Sequence, residues 1–243
     1  GNRVAAEINS GRYTKAFVFS HTDPYTTIDG VQRTVSVGYR DITQLTSATS
    51  DIDTETISAS LNYDFPLTEY QYFGIGVSAQ KAELLGTENG SAFQVLEWLR
   101  NNGNSRVRCY DVIPDADCND AFETEIISSD FNTYELNLGW RYDSRNRALF
   151  ATRGMRHRFN VSYTLPGSDV EFWNVSYDLL QFVPIWRDFT LMFNAELAYG
   201  RALGDTTAMP PYRQYFAGGP ESVRGFRESR LGPKDNFVRP YGG

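Results

Sequence analysis

Chemistry in this chain would be built from a short inventory: Cys109 and Cys118, His21 and His157, and five carboxylates within alternating segments, Asp64, Glu135, Asp143, Asp178 and Glu196. Neither histidine sits in a metal-ligand spacing, so no metal site is expected. The two cysteines have eight residues between them and no other thiol to choose. Each is therefore the other's only intrachain partner, and the spacing permits a small disulfide-closed loop, which an oxidising compartment would favour. The chain has no nucleophile elbow, no HExxH, no phosphate-binding P-loop and no GxGxxG following a strand. Its carboxylates are dispersed, one or two to a segment, as wall charges would be rather than as an acid/base pair. Neither an enzymatic activity nor a cofactor is expected.

The residues with the most specific spacing are of another kind. Gln214-Tyr215-Phe216-Ala217-Gly218-Gly219-Pro220-Glu221-Ser222-Val223-Arg224-Gly225-Phe226 has no hydrophobic period, but carries a Gly-Gly pair, a proline and an arginine between Val223 and Gly225. Glycine permits positive φ and close backbone approach, so this is a loop with a defined path. An arginine held in such a loop needs acceptors for five donors. The candidate site is accordingly Val223, Arg224, Gly225 and Phe226 with Gly218 and Gly219.

The elements that must position this loop alternate with period two. Ile57, Ala59, Leu61, Tyr63 and Phe65 face away from Thr56, Ser58, Ser60, Asn62 and Asp64; Tyr134, Leu136, Leu138, Trp140 and Tyr142 face away from Glu135, Asn137, Gly139, Arg141 and Asp143. The same pattern runs through Phe159–Leu165, Trp173–Leu179 and Phe189–Tyr199, and more weakly through Val4–Ile8, Phe17–Phe19, Val31–Tyr39 and Phe73–Ala79. This predicts nine strands, mostly antiparallel neighbours, each with one apolar and one polar face. A break in the pattern at Phe93–Arg100 puts Val95, Trp98 and Leu99 at helical spacing, which predicts a short amphipathic helix packed over the end of the sheet.

A soluble β-rich binding domain and a transmembrane barrel both use such strands. Strands of about ten residues or more, with polar inner faces and aromatic ends, favour an antiparallel transmembrane β-barrel. Short connectors follow the Phe17, Ile57 and Trp173 segments, while longer loops are expected over 41–54, 81–131 and from 204 onward. Short turns would face the periplasm and long loops the exterior. A net charge of −7 with no Lys/Arg track argues against nucleic acid as a partner.

Tyr212–Gly219, then Ser222-Val223-Arg224-Gly225-Phe226, then Leu231-Gly232-Pro233-Lys234-Asp235 resembles the long extracellular loop of the BamA family, outer-membrane barrel-assembly insertases of the POTRA-barrel superfamily. Asp23-Pro24-Tyr25 with Asp29-Gly30-Val31, Phe65-Pro66-Leu67-Thr68-Glu69-Tyr70 and Thr164–Asp169 resemble the family's turns in the right order, so the likeness runs from Arg3 to Asp235. The resemblance implies a sixteen-stranded barrel, of which residues 1–203 would form an internal fragment of about nine strands. Residues 204–243 would begin the long loop, with V-R-G-F folding back into the lumen. It also implies a location in the Gram-negative outer membrane. The partners it implies are the lipid bilayer, nascent outer-membrane β-barrel proteins and accessory lipoproteins. Related secretion or translocation transporters share R-G-F and stay open as an alternative.

Overall fold

The computed structural model describes residues 1–11, 14–44, 52–110, 124–187, 189–219, 222–227, 230–236 and 242. Among them are ten strands, β1 (Arg3–Ser10), β2 (Thr14–Asp23), β3 (Gln32–Gln44), β4 (Ile52–Thr68), β5 (Gln71–Thr87), β6 (Asn104–Tyr110), β7 (Thr124–Asp143), β8 (Gly154–Thr164), β9 (Phe172–Trp186) and β10 (Phe189–Ala202). A helix, α1 (Phe93–Asn101), precedes β6, and a 3-10 turn spans Pro211–Arg213. Every pairing is antiparallel, and the sheet runs β1-β2-β3-β4-β5-β7-β8-β9-β10 with β6 attached to β7. The described sheet is open, with β1 and β10 at its two edges.

Register turns the alternation into two surfaces. Tyr63, Ile75, Leu138, Val161, Val175 and Tyr199 lie opposite one another on successive strands, and one residue along lie Asn62, Gly76, Asn137, Ser162, Asn174 and Gly200. The first row is apolar and faces outward; the second is polar or small and faces the concave side. Side chains on the concave side satisfy one another: Ser36 and Ser60 hydroxyls lie 2.7 Å apart, Asn137 donates to Ser78 at 3.1 Å, and Ser162 donates to Asn137 at 2.7 Å. Gly76 leaves the space that the Asn62 amide fills. An apolar outer row left uncovered in water would be unfavourable by about 25 cal/mol per Å². That surface suits lipid.

The three longest strands run furthest past what a bilayer requires. β4 and β5 have 17 residues each and β7 has 20, against the ~9–11 that cross a bilayer. Beyond that length their concave face turns apolar, with Ile52, Ala82, Leu84, Ile127 and Phe131 buried beneath Val95, Leu96, Trp98 and Leu99 of α1. The predicted helix is present, packed as the spacing requires. The long connector is shorter than the expected 81–131, because β5 runs on to Thr87 and β7 begins at Thr124. It also holds a tenth strand that alternation did not reveal: in Asn104-Ser105-Arg106-Val107-Arg108 only Val107 is apolar, and β6 is held by backbone pairing to β7. Cys109 falls within β6, but its side chain and Cys118 lie outside the described residues. The loop expected over 41–54 is shorter too, because β3 runs on to Gln44 and β4 begins at Ile52, and residues 45–51 lie outside the described ones.

Candidate functional site

After β10 the chain turns back across the concave face. Leu203 donates its N–H to the Glu171 carbonyl at 2.8 Å, and the Thr206 hydroxyl accepts the Glu171 N–H at 2.8 Å. The Asn102 amide donates to Thr207 Oγ1 at 2.8 Å and its carbonyl oxygen accepts the Thr207 N–H at 3.1 Å, while the Trp98 indole donates to the Ala208 carbonyl at 2.9 Å. Thr207 and Ala208 are thus stitched to the end of α1, and the 3-10 turn that follows, opened by Pro210 and Pro211, delivers Tyr212 and Arg213 to the wall.

Tyr212 stacks on Phe131 at 5.8 Å between ring centres, and Phe131 meets Trp98 edge-on at 5.6 Å. Arg213 Nη2 donates to Glu135 Oε1 at 2.6 Å, with its guanidinium 5.5 Å over the Phe172 ring. Glu135 is 3% exposed, so this charge depends on its partner. Burial pushes the Tyr212 phenol up to about 12 from 10.0. Because the folded value is raised, loop docking is at full strength below pH 10 and weakens as pH rises from 10 towards 12. Proteolytic susceptibility of residues 203–235 should rise across that window, and Tyr212→Phe should flatten the rise without exposing the loop at neutral pH.

Beyond this root the loop closes on itself. Ala217 and Leu231 form an isolated bridge, the Leu231 N–H donating to the Ala217 carbonyl at 2.9 Å, and the Gly219 N–H donates to the Phe226 carbonyl at 3.1 Å. Gly218 has φ +112, Gly219 +98 and Gly225 +91, all in the region that favours glycine. A Cβ on Gly218 would overlap the Arg227 carbonyl, whereas one on Gly225 would meet nothing within 4 Å. Gly218→Ala should therefore damage the loop more than Gly225→Ala, whose cost is about 1–3 kcal/mol of backbone strain alone. Protease protection of the loop compares the two.

The structure holds the sequence-derived site within the loop, where its hydrogen bonds are with other loop residues. Val223, Arg224, Gly225 and Phe226 form an exposed turn at the loop's far end, and Arg224 has no hydrogen-bond or ion-pair partner among the described residues. The arginine bonded to the described wall is Arg213, eleven residues earlier. Glu135 is legible in the sequence as a wall carboxylate and Arg213 lies within the loop pattern, but the two are 78 residues apart and no spacing rule joins them. Below the root lies an open cavity of about 480 Å³, lined among others by Thr34, Asn62, Asp64, Ile75, Leu138 and Asn160. Among the described residues no group of three or more His, Cys, Asp or Glu side chains is arranged for a metal, and no helix is long and apolar enough to cross a membrane.

An antiparallel wall, apolar outside and polar within, with a long loop rooted on its concave face, defines a transmembrane β-barrel segment. The chain belongs to the Omp85 superfamily, whose domain model it matches over residues 1–243. It is 26% identical over 242 residues to the outer membrane protein assembly factor BamA of Neisseria meningitidis serogroup B, covering 96% of this chain and 27% of that protein. Its fold matches the crystal structure of BamA from Haemophilus ducreyi lacking POTRA domains 1–3, with a TM-score of 0.77 and 23% identity, over 96% of this chain and 41% of that one. The chain is thus a BamA-like Omp85 barrel segment of the Gram-negative outer membrane, and it spans about a quarter of the length of its curated relative.

Proposed function

We propose that this chain is barrel wall of an assembly factor that folds nascent β-barrel proteins and inserts them into the outer membrane, working without nucleotide and without enzymatic chemistry. The supporting observation is the likeness to an assembly factor along 96% of the chain, from β1 through the returning loop. A substrate strand arriving unfolded has unpaired N–H and C=O groups that lipid cannot satisfy. Templating on a strand edge of the barrel supplies those hydrogen bonds, the β-augmentation mode of recognition. In this reading nascent barrel proteins, the bilayer and accessory lipoproteins are the partners.

Arg224 is the second anchor of the loop, its acceptors lying on wall strands outside this chain, and Val223 and Phe226 are its apolar flanks. Arg224→Ala in the full-length protein should lower the heat-modifiable barrel in the outer membrane, with Arg227→Ala as a silent neighbour. Lysine should restore Arg224 only partly, because it keeps charge but not the planar fork. The function itself is tested by conditional depletion in the source bacterium. Unfolded outer-membrane proteins of many kinds should accumulate in the periplasm. Normal barrel assembly with loss of a single secreted protein would instead identify a transporter.

A further inference from the structure

The hairpin joining β7 to β8 carries charge and shape that the wall does not use. From Arg141 to Arg158 there are six arginines and one carboxylate, Asp143, in a chain of net charge −7. The turn between the strands is built rather than slack. Arg145 clamps Asp143 through Nε to Oδ1 at 2.9 Å and Nη2 to Oδ2 at 2.8 Å, and its Nη1 donates to the Ala148 carbonyl at 3.3 Å. Asn146 Oδ1 accepts the N–H groups of Thr152 and Arg153 at 3.1 and 3.3 Å, while its amide donates to Thr152 Oγ1 at 2.9 Å. What this frame holds outward is Leu149, 77% exposed, and Phe150, 91% exposed. Phe150 has φ +54, a conformation that an aromatic residue keeps only where its surroundings over-determine it. Arg147 and Arg153 flank the pair, both exposed, and neither guanidinium has a partner among the described residues.

Two large apolar side chains fixed in the open call for a cover, and the rest of this rim says what kind. Each of the other connectors at the same end also shows exposed apolar or aromatic groups: Tyr25 and Ile28 after β2, Leu67 and Tyr70 where β4 turns into β5, Ile185 and Trp186 at the end of β9. With strands about 4.8 Å apart, four such hairpins span roughly 30 Å of rim. A broad apolar plane meets them all, in continuity with the outward apolar face of the wall. Short turns of such barrels face the periplasm, where the adjoining layer consists of lipid headgroups. Arginine suits it, since its planar fork takes phosphate oxygens bidentately.

We propose that the β7–β8 hairpin is a lipid-docking element of the periplasmic leaflet, in which Leu149 and Phe150 enter the headgroup boundary and Arg147 and Arg153 bind phosphates of anionic phospholipid. The inference rests on the outer-membrane location and not on the assembly function. It is tested with the full-length protein in vesicles of phosphatidylethanolamine containing phosphatidylglycerol. In Phe150→Trp, or Leu149→Trp if that variant does not fold, the added indole should be quenched by lipids brominated near the headgroup. The Arg147→Gln/Arg153→Gln double variant should keep normal heat-modifiability but retain several-fold less phosphatidylglycerol in native mass spectrometry. An indole quenched by aqueous acrylamide and not by bromolipid, or equal lipid retention by the double variant, overturns the proposal.

Discussion

Arg213→Ala in the full-length protein is expected to release the loop from the wall at about 3–5 kcal/mol, because it strands the Glu135 carboxylate where water scarcely reaches. The reverse truncation, Glu135→Ala, should be milder. The side chains are 30% exposed for Arg213 and 4% for Glu135, so an orphaned guanidinium can turn to solvent and an orphaned carboxylate cannot. Removing both charges together, Glu135→Gln with Arg213→Gln, should recover much of the loss, since a buried pair replaced as a pair is often close to neutral. A double-mutant cycle read by proteolytic protection of residues 203–235 measures the coupling. Additive effects of the two truncations would mean that the 2.6 Å contact does not hold the loop.

Leu138→Arg is expected to impair assembly of the barrel far more than Asn137→Arg. Leu138 lies in the outward row between Ile75 and Val161, five residues from the end of β7, about halfway along the ~9–11 residues that cross a bilayer. Arginine there costs about 2–4 kcal/mol at the bilayer midplane. At Asn137 the substitution breaks the hydrogen bonds to Ser78 and Ser162, about 0.5–1.5 kcal/mol each, but leaves the new charge in the polar lumen. Outer-membrane levels and heat-modifiability of the two variants decide the matter. Equal tolerance would mean that the outward row does not meet lipid.

What was legible in the sequence followed the reach of its periodicities. Leu136, Leu138 and Trp140 against Glu135, Asn137 and Gly139 announce β7 because a two-residue period is local, and Val95, Trp98 and Leu99 announce α1 for the same reason. β6 stayed hidden because Arg106, Val107 and Arg108 form no apolar face and its partner, the start of β7, supplies the reason for its strand. Gly218, Gly219 and Gly225 were legible as backbone requirements, and all three have positive φ. Arg213 is not legible locally as Arg224 is, because Arg224 stands beside a glycine in a motif while the acceptor that distinguishes Arg213 is on a strand 78 residues away.

That separation has a consequence for how the wall itself is made. Apart from β6, each strand pairs with neighbours in chain order, so the sheet can grow one hairpin at a time with only short closures to make. The contacts of Thr207, Ala208 and Arg213 bridge 105, 110 and 78 residues respectively. They have no surface to meet until α1, β7 and β9 are in place. The loop root is therefore the last part of this segment to settle, and for the interval before it does, the lumen stands open and Glu135 faces water.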